Sequence, residues 1–409
     1  MPFARTLHSV LRMASVSPGG GEDRRIARAP SVADLRLRAR RRLPREVFDY
    51  LDGGAETEWT LRANESALGQ VTFRPRVLTG APDIDTRTPL LGSTLPFPIV
   101  LAPVGMLGMA HPGGEVAAAA AAGAYGVPFT HSAMGSKSIE QVAAAATGPL
   151  WFQLYIWRDR AVIGDLLARA AAAGYSTLVI TADTPVFGNR HRDVRNGFAL
   201  PPKLRFSTFI DGALHPAWTT AFLRGGPMEF GNLATASTGD ASPLALSDYV
   251  SQNFDPGVSW DDLEWIRAHW KGKILVKGVQ TRQDAEIALK TGVDGLVVSN
   301  HGGRQLDFSA PAISLLPPIA EAVGDRVEVL FDGGVRSGAD ILKALALGAK
   351  AVLVGRAYAY GLAAAGQAGV DHALRLLTAD LRRTMALTGV HRVADVTRDL
   401  ICDPFSSVP

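Results

Sequence analysis

Only one cysteine, Cys402, occurs in the 409 residues, which leaves no material for a disulfide framework or a cysteine-based zinc site and suits a reducing cytosol. No metal is expected. Long apolar runs are missing as well: nowhere do 18 strongly apolar residues follow one another, so no helix is expected to span a bilayer. The alanine run from Ala117 to Ala122 is a turn or two long and ends at Gly123. Net charge is low, +3, too small to point to nucleic acid. Lysine is sparse and arginine abundant, and the arginines crowd the first 45 residues, so the basic character is local. Residues 1 to 30 carry Arg5, Arg12, Arg24, Arg25 and Arg28 among serine and glycine, with no periodicity and no apolar core of a secretory signal. They read as a flexible leader, which places the folded domain at 31–409.

What is present is a globular composition, 47% hydrophobic and 20% charged, at a length that fits one α/β barrel with an insertion. Short apolar runs recur, most of them followed by helical periodicity. Eight strand candidates emerge: Ile99 to Ala102, Val127 to Thr130, Leu150 to Tyr155, Leu178 to Thr181, Ile274 to Val276, Leu296 to Val298, Val327 to Phe331 and Ala351 to Val354. Helices are expected over Glu115 to Ala124, Ile139 to Ala146, Ala161 to Ala173, Arg282 to Lys290, Asp340 to Leu347 and Val370 to Leu387. Repeated strand and helix implies parallel strands with right-handed crossovers, and eight such units close into a (β/α)8 TIM barrel preceded by an N-terminal helical segment. One connection breaks the rhythm. Residues 184–258 form an insertion after the fourth strand, far longer than an ordinary loop, with Phe206, Phe209, Trp218, Phe222 and Phe230 among glycine and proline. The plain reading is a cap on the barrel; the sharper one is a peripheral membrane contact through residues 204–240.

In such barrels chemistry sits where the strands end. The first strand ends at Ala102-Pro103 and the second leads to Ser132, while Gln153 and Tyr155 follow on the third. Thr181, Asp183 and Arg190 come after the fourth, Lys277 ends the fifth, and His301 and Arg304 follow the sixth. A histidine near an arginine is most often a structural polar pair, but so full a rim is not expected from structure alone. Gly333, Gly334 and Gly355, with Arg336 and Arg356, then suggest a phosphate site after strands seven and eight: backbone N–H groups approach an anion where no Cβ intrudes, and guanidinium groups add charge. That phosphate belongs either to a substrate or to a flavin mononucleotide. Lys277, at the end of an apolar strand, is costly there unless an anionic partner awaits it; Schiff-base catalysis is one use for it, and stabilising a reduced flavin that carries negative charge is another. A base, its carboxylate and two carboxylate clamps suit oxidation of a hydroxy acid. The competing reading is a non-redox barrel enzyme, an isomerase or aldolase on a phosphorylated substrate with Lys277 as its amine.

Five motifs stand in order along the chain: Phe48 to Ala55 (FDYLDGGA), Leu101 to Met106 (LAPVGM), Trp151 to Tyr155 (WFQLY), Ser299 to Asp307 (SNHGGRQLD) and Asp332 to Arg336 (DGGVR). Together they resemble the FMN-dependent L-2-hydroxy-acid dehydrogenase and oxidase family from about Leu43 onward. The insertion, through His215-Pro216-Ala217-Trp218 and Asn253 to Trp260, is most similar to that of bacterial membrane-associated lactate dehydrogenases, with mandelate dehydrogenase close behind. The resemblance implies FMN as prosthetic group and Tyr50, Arg190 and Arg304 on the substrate carboxylate. It further implies Tyr155 on the hydroxyl oxygen, and His301 as base with Asp183 behind it. Lys277 would face the N1 and C2 carbonyl region of the flavin. Ala102, Pro103, Val104, Ser132, Gln153, Thr181 and Ser299 would contact the cofactor, and Asp332, Gly333, Gly334, Arg336, Gly355 and Arg356 would hold its ribityl phosphate end. It also implies a quinone as electron acceptor, a homotetramer, and a cytoplasmic location, peripheral on the inner face of the cell membrane. Two positions depart from the simple oxidases. Met134 replaces a tryptophan of glycolate oxidase, and Gly105 replaces their common alanine, which puts fast reaction with oxygen in doubt.

Overall fold

The computed structural model describes residues 26–80, 83–196, 206–225, 230–233 and 254–405. The leader expected over 1–30 therefore lies outside the described residues except for 26–30, as do 204–205, 226–229 and 234–240 of the segment expected to meet a membrane.

Among the described residues, three helices precede the barrel: α1 (Val32–Arg42), α2 (Arg45–Asp52) and α3 (Trp59–Gln70). Ser31 caps α1 by accepting from the Asp34 N–H at 3.2 Å, satisfying one of the donors a helix start leaves free. Arginines fill the last turn of α1, where positive charge complements the helix dipole. A short hairpin follows, Thr88–Leu90 against Ser93–Leu95, just ahead of the first barrel strand.

Eight parallel strands then close on themselves: β1 (Ile99–Leu101), β2 (Phe129–Ser132), β3 (Leu150–Leu154), β4 (Thr177–Thr181), β5 (Lys273–Val279), β6 (Gly295–Val298), β7 (Glu328–Phe331) and β8 (Ala351–Val354), with β8 pairing back on β1. All eight lie where the apolar runs placed them. The second is shifted: it begins at Phe129 instead of Val127 and runs to Ser132, because Phe129 to Ser132 pair in register with Leu150 to Gln153 of the neighbouring strand. Val127 is spent instead on the turn, its N–H bonded to Ala122 O.

Strand residues alternate between two apolar compartments. Val100, Ala102, Trp151, Val179, Leu275, Val297, Leu330 and Leu353 fill the barrel interior, joined by Leu90 and Leu95 of the hairpin, which plugs the N-terminal mouth. Their neighbours, such as Ile99, Phe152, Leu178, Val276 and Val298, face the helix layer. Each fully buried aliphatic side chain contributes about 1.5–3 kcal/mol, so the scaffold under the opposite mouth is rigid.

Connecting helices are α4 (Gly114–Ala124), α5 (Ile139–Ala145), α6 (Arg160–Ala172), the insertion helices α7 (His191–Asn196), α8 (Phe206–Leu214) and α9 (Pro216–Arg224), then α10 (Asp262–His269), α11 (Arg282–Lys290), α12 (Ala312–Val323), α13 (Gly338–Ala346) and α14 (Arg356–Thr388). The insertion helices and α12 were not among those expected. Pro317 and Pro318 sit inside α12 and each lacks a backbone donor, yet Ile313, Leu316, Ile319 and Val323 are buried along one stripe and hold the helix. Helix α14 starts at Arg356 instead of Val370. Its first half is broken from its second at Ala365 and Gly366, where Gly366 takes φ +59° and a Cβ would stand 2.7 Å from His111.

Candidate active site

A cavity of about 590 Å³ opens at the C-terminal ends of the strands. Its wall takes Ala102, Pro103 and Val104 after β1, Ser132 at the end of β2, Gln153 and Tyr155 from β3, Thr181 from β4, and Lys277 from β5. Arg190 reaches it from the loop before α7, and Tyr50 from α2. His301 and Arg304 follow β6; Asp332, Gly333, Gly334 and Arg336 follow β7; Gly355 and Arg356 follow β8. Asp183 and Ser299 stand one layer behind. Every site residue expected from sequence is thus gathered in or directly behind one cavity.

His301 is the centre of the polar wall. It adopts φ +57°, a left-handed conformation uncommon outside glycine, and Gly302 and Gly303 continue it at +63° and +75°. Ser299 fixes this turn: its Oγ accepts from the His301 backbone N–H at 3.0 Å and from Lys277 Nζ at 3.0 Å. The ring is held by Asp183, whose Oδ1 lies 2.8 Å from Nδ1. With Nδ1 donating to the carboxylate, the free lone pair is on Nε2. Burial pushes the imidazole below its ordinary pKa, against the opposing pull of Asp183, so the resting ring is neutral. Burial would raise the Asp183 carboxyl, but its interaction with His301 and the charge of Lys277 outweigh it and hold it below the usual value. A neutral base backed by an anion results.

Lys277 carries the opposite setting. Burial lowers its pKa, but Asp332 at 3.2 Å and Asp183 outweigh that effect and raise it. A Schiff-base amine must be neutral to attack a carbonyl, whereas the two carboxylates favour a charged Lys277 at the cavity wall.

Around Tyr50 the wall is cationic. The guanidinium groups of Arg190 and Arg304 lie 5.5 and 5.2 Å from the Tyr50 ring centre. Arg304 donates to Tyr50 O at 2.8 Å and Gly53 O at 3.0 Å, which fixes one edge of the fork. Burial first, then the neighbouring charges of Arg190 and Arg356, press the Arg304 pKa down to about 9. Such crowding of like charge is relieved by an anion. Tyr155 lies near the same groups; burial and the Asp183 charge raise its pKa, so its hydroxyl remains a donor.

The opposite end of the cavity suits a phosphate. Helix α14 begins there, and its N-cap, Gly355, supplies no side chain to its free N–H groups. A Cβ at Gly355 would meet nothing closer than Ala102 at 3.7 Å, so the space glycine leaves belongs to the cavity. Gly333 and Gly334 take φ +117° and +86°, and a Cβ on Gly334 would stand 2.9 Å from the Asn64 backbone. Burial and the charge of Arg336 lower Arg356, and Arg336 itself pairs with Glu65 at 2.9 Å. Between the two ends, Gln153 Nε2 is a buried donor without an acceptor and Asp332 Oδ1 a buried acceptor without a donor. A planar ring edged with carbonyl and N–H groups and ending in a phosphate satisfies all of these. FMN fits.

Several residues escaped the sequence reading. Asp193, one turn beyond Arg190, is buried, pairs with the Arg190 Nε at 3.0 Å and keeps a buried, unpartnered Oδ1. Its spacing of three from Arg190 on a helix was the available signal. Gln305 bonds Thr184 and accepts from the Gly188 N–H at 2.9 Å, lacing the β6 loop to the β4 loop. Arg192 reaches back to Asp52 at 2.8 Å and Glu58 at 2.6 Å, tying α7 to the helix that carries Tyr50. These partners are more than a hundred residues apart in the chain, and no local pattern announces them.

Comparison with known proteins agrees with this geometry. The profile of FMN-dependent dehydrogenases matches residues 39–403. An L-lactate dehydrogenase of Caulobacter vibrioides is 48% identical over 375 residues, covering 91% of this chain and 97% of that protein. One from Xanthomonas axonopodis pv. citri is 46% identical, covering 91% and 96%. Among solved structures, the monotopic membrane protein (S)-mandelate dehydrogenase superposes with a TM-score of 0.87 at 39% identity, covering 91% of this chain and 99% of that one. Mandelate oxidase gives 0.77 at 41% identity, covering 91% and 97%. A matching profile over nearly the whole chain, on a barrel whose rim fits the cofactor, establishes that the chain belongs to the FMN-dependent dehydrogenase family.

Proposed function

We propose that this protein oxidises an L-2-hydroxy acid, of the lactate or mandelate type, to the 2-oxo acid. The observation that carries this reading is the neutral His301, backed by Asp183 at 2.8 Å, facing the same cavity as Arg190 and Arg304. Arg190 and Arg304 receive the substrate carboxylate, with Tyr50 between them in reach. Tyr155 donates to the substrate oxygen, and His301 Nε2 takes up the proton released on oxidation. Asp183 stabilises the imidazolium so formed, as a buried carboxylate does for a catalytic histidine. When bound, FMN would supply the acceptor for the two electrons and the second hydrogen. Lys277 would place positive charge where negative charge gathers on reduction, and Gln153, Ser132 and Thr181 would hold the ring. Arg336, Arg356 and the α14 N-terminus hold the phosphate, with Ala102, Pro103, Val104, Asp332, Gly333, Gly334 and Gly355 shaping the cradle. Ser299 acts through Lys277 and His301.

The test is an anaerobic screen of 2-hydroxy acids against the purified yellow protein. Bleaching by the L-acid alone is expected, and flavin that stays oxidised with lactate, mandelate and glycolate would overturn the reading.

The acceptor we propose is a quinone, as the family resemblance implies, with Gly105 standing where the simple oxidases commonly carry alanine. Slow reoxidation in air and fast reoxidation by a soluble quinone are expected. Peripheral attachment to the inner face of the cell membrane is supported by the exposed Ile210 and Leu214 of α8 and Leu223 of α9, and by the monotopic mandelate dehydrogenase. No helix among the described residues is long and apolar enough to cross a membrane. Deleting residues 206–225, which carry α8 and α9 and spare the return at Phe230–Leu233, should release the protein from membrane fractions. The family resemblance supports a homotetramer, which light scattering tests.

A further inference from the structure

The insertion after β4 does not lie wholly outside the barrel. At Phe230–Leu233 it returns to the rim and is built into it. The Gly231 N–H donates to Gly135 O at 3.0 Å. Asn232, with no exposed surface, donates from Nδ2 to Ser132 O at 3.1 Å and Ala133 O at 3.3 Å, and its Oδ1 accepts from the Ile139 N–H at 2.8 Å. That last donor opens α5 and has no partner within the helix. Arg169 fixes the next link by donating to Asn232 O at 3.0 Å. A Cβ at Gly231 would stand 2.5 Å from the Lys137 carbonyl carbon, so the backbones meet at closest approach. Losing Asn232 would strand several buried polar groups, which makes the anchor rigid.

The consequence falls on Phe230. It is 3% exposed and lines the active-site cavity. Met134 lines it too, and the two side chains precede the two glycines of the Gly231–Gly135 bond, so they enter from one seam. Met134 in turn packs on Gly105, which lies beside the Tyr50 hydroxyl at the carboxylate end. A methionine can yield to a larger ligand; an anchored phenyl ring is far stiffer.

Resting on the hydroxy-acid reading above, we infer that Phe230, set by the Asn232 anchor, is a specificity-determining residue. It occupies the room an aryl side chain would need and confines the substrate to 2-hydroxy acids with a short aliphatic side chain. The insertion then serves the pocket as well as any surface it contacts.

The holoenzymes of Phe230→Ala and Phe230→Leu, each with its flavin content measured, are to be compared with the unaltered protein in anaerobic flavin reduction by L-lactate and (S)-mandelate. The expected result is a rise of at least about tenfold in the mandelate-to-lactate ratio of kcat/KM for the alanine variant, with a smaller rise for leucine, at unchanged flavin content. A ratio within twofold of the unaltered protein overturns the inference. So does loss of flavin from both folded variants, which would place Phe230 against the cofactor. Failure of the underlying reading looks different: the unaltered protein itself would be reduced by neither acid.

Discussion

Asp183 and His301 meet through one 2.8 Å contact at Nδ1, and that contact decides which face of the imidazole looks into the cavity. It also sets opposing electrostatic pulls: the carboxylate raises the histidine pKa while burial, the larger effect, lowers it. Asp183→Asn keeps the shape and removes the charge. The acid limb of the kcat/KM profile should then move to lower pH, because the pull upward is gone, and the plateau should fall between tenfold and about 10⁴-fold. Stopped-flow flavin reduction from pH 5 to 9 measures both; an unmoved limb counts against the pairing.

In the unaltered protein the base must be neutral to accept a proton. Since His301 is held below its ordinary value, kcat/KM should be flat near neutrality and decline only as pH falls below about 6.5. His301→Asn should lower flavin reduction by about 10²–10⁴-fold while leaving the flavin spectrum intact.

Lys277 and Asp332 are a buried ion pair at 3.2 Å. Lys277→Met strands the carboxylate and should destabilise the holoprotein by about 3–5 kcal/mol, read as a lower thermal midpoint. The double variant Lys277→Met/Asp332→Asn should recover much of that stability. It should not recover flavin reduction, because the cation that faces the cofactor is still missing.

Arg304→Lys retains charge but loses the planar fork. With carboxylate contacts of this kind worth about 1.5–3 kcal/mol, kcat/KM should drop roughly ten- to 150-fold, mostly through weaker substrate binding. Arg356→Gln should lower flavin content after gel filtration and also weaken substrate binding somewhat, because Arg356 donates at 2.7 Å to the same Gly53 carbonyl that Arg304 meets at 3.0 Å. Unchanged flavin content would count against its place in the phosphate cradle.

Much of this site was legible in the chain because a barrel sorts residues by position: whatever follows each apolar run lands on the same rim. His301, Lys277 and Arg336 could be placed on that ground alone, and the family motifs added their roles. Other features were hidden for definite reasons. The Pro317-Pro318 pair masks α12, since local chemistry argues against a helix that burial nonetheless sustains. Asn232 and Arg192 act across long chain separations, through carbonyls and carboxylates that any polar residue could have met. Asp193 was obscured by its neighbours, being one acid among three basic residues, His191, Arg192 and Arg195.

Tyr50 belongs to α2, outside the ring of strands, and is steadied there by Arg192 on Asp52 and by Arg36 on the same carboxylate at 2.5 Å. The catalytic chamber is therefore a joint product of barrel and prefix. A chain trimmed to the strands and their crossovers would keep the phosphate cradle and the ring of polar strand ends yet lose part of its grip on acids: a coloured protein, slow to answer its fuel.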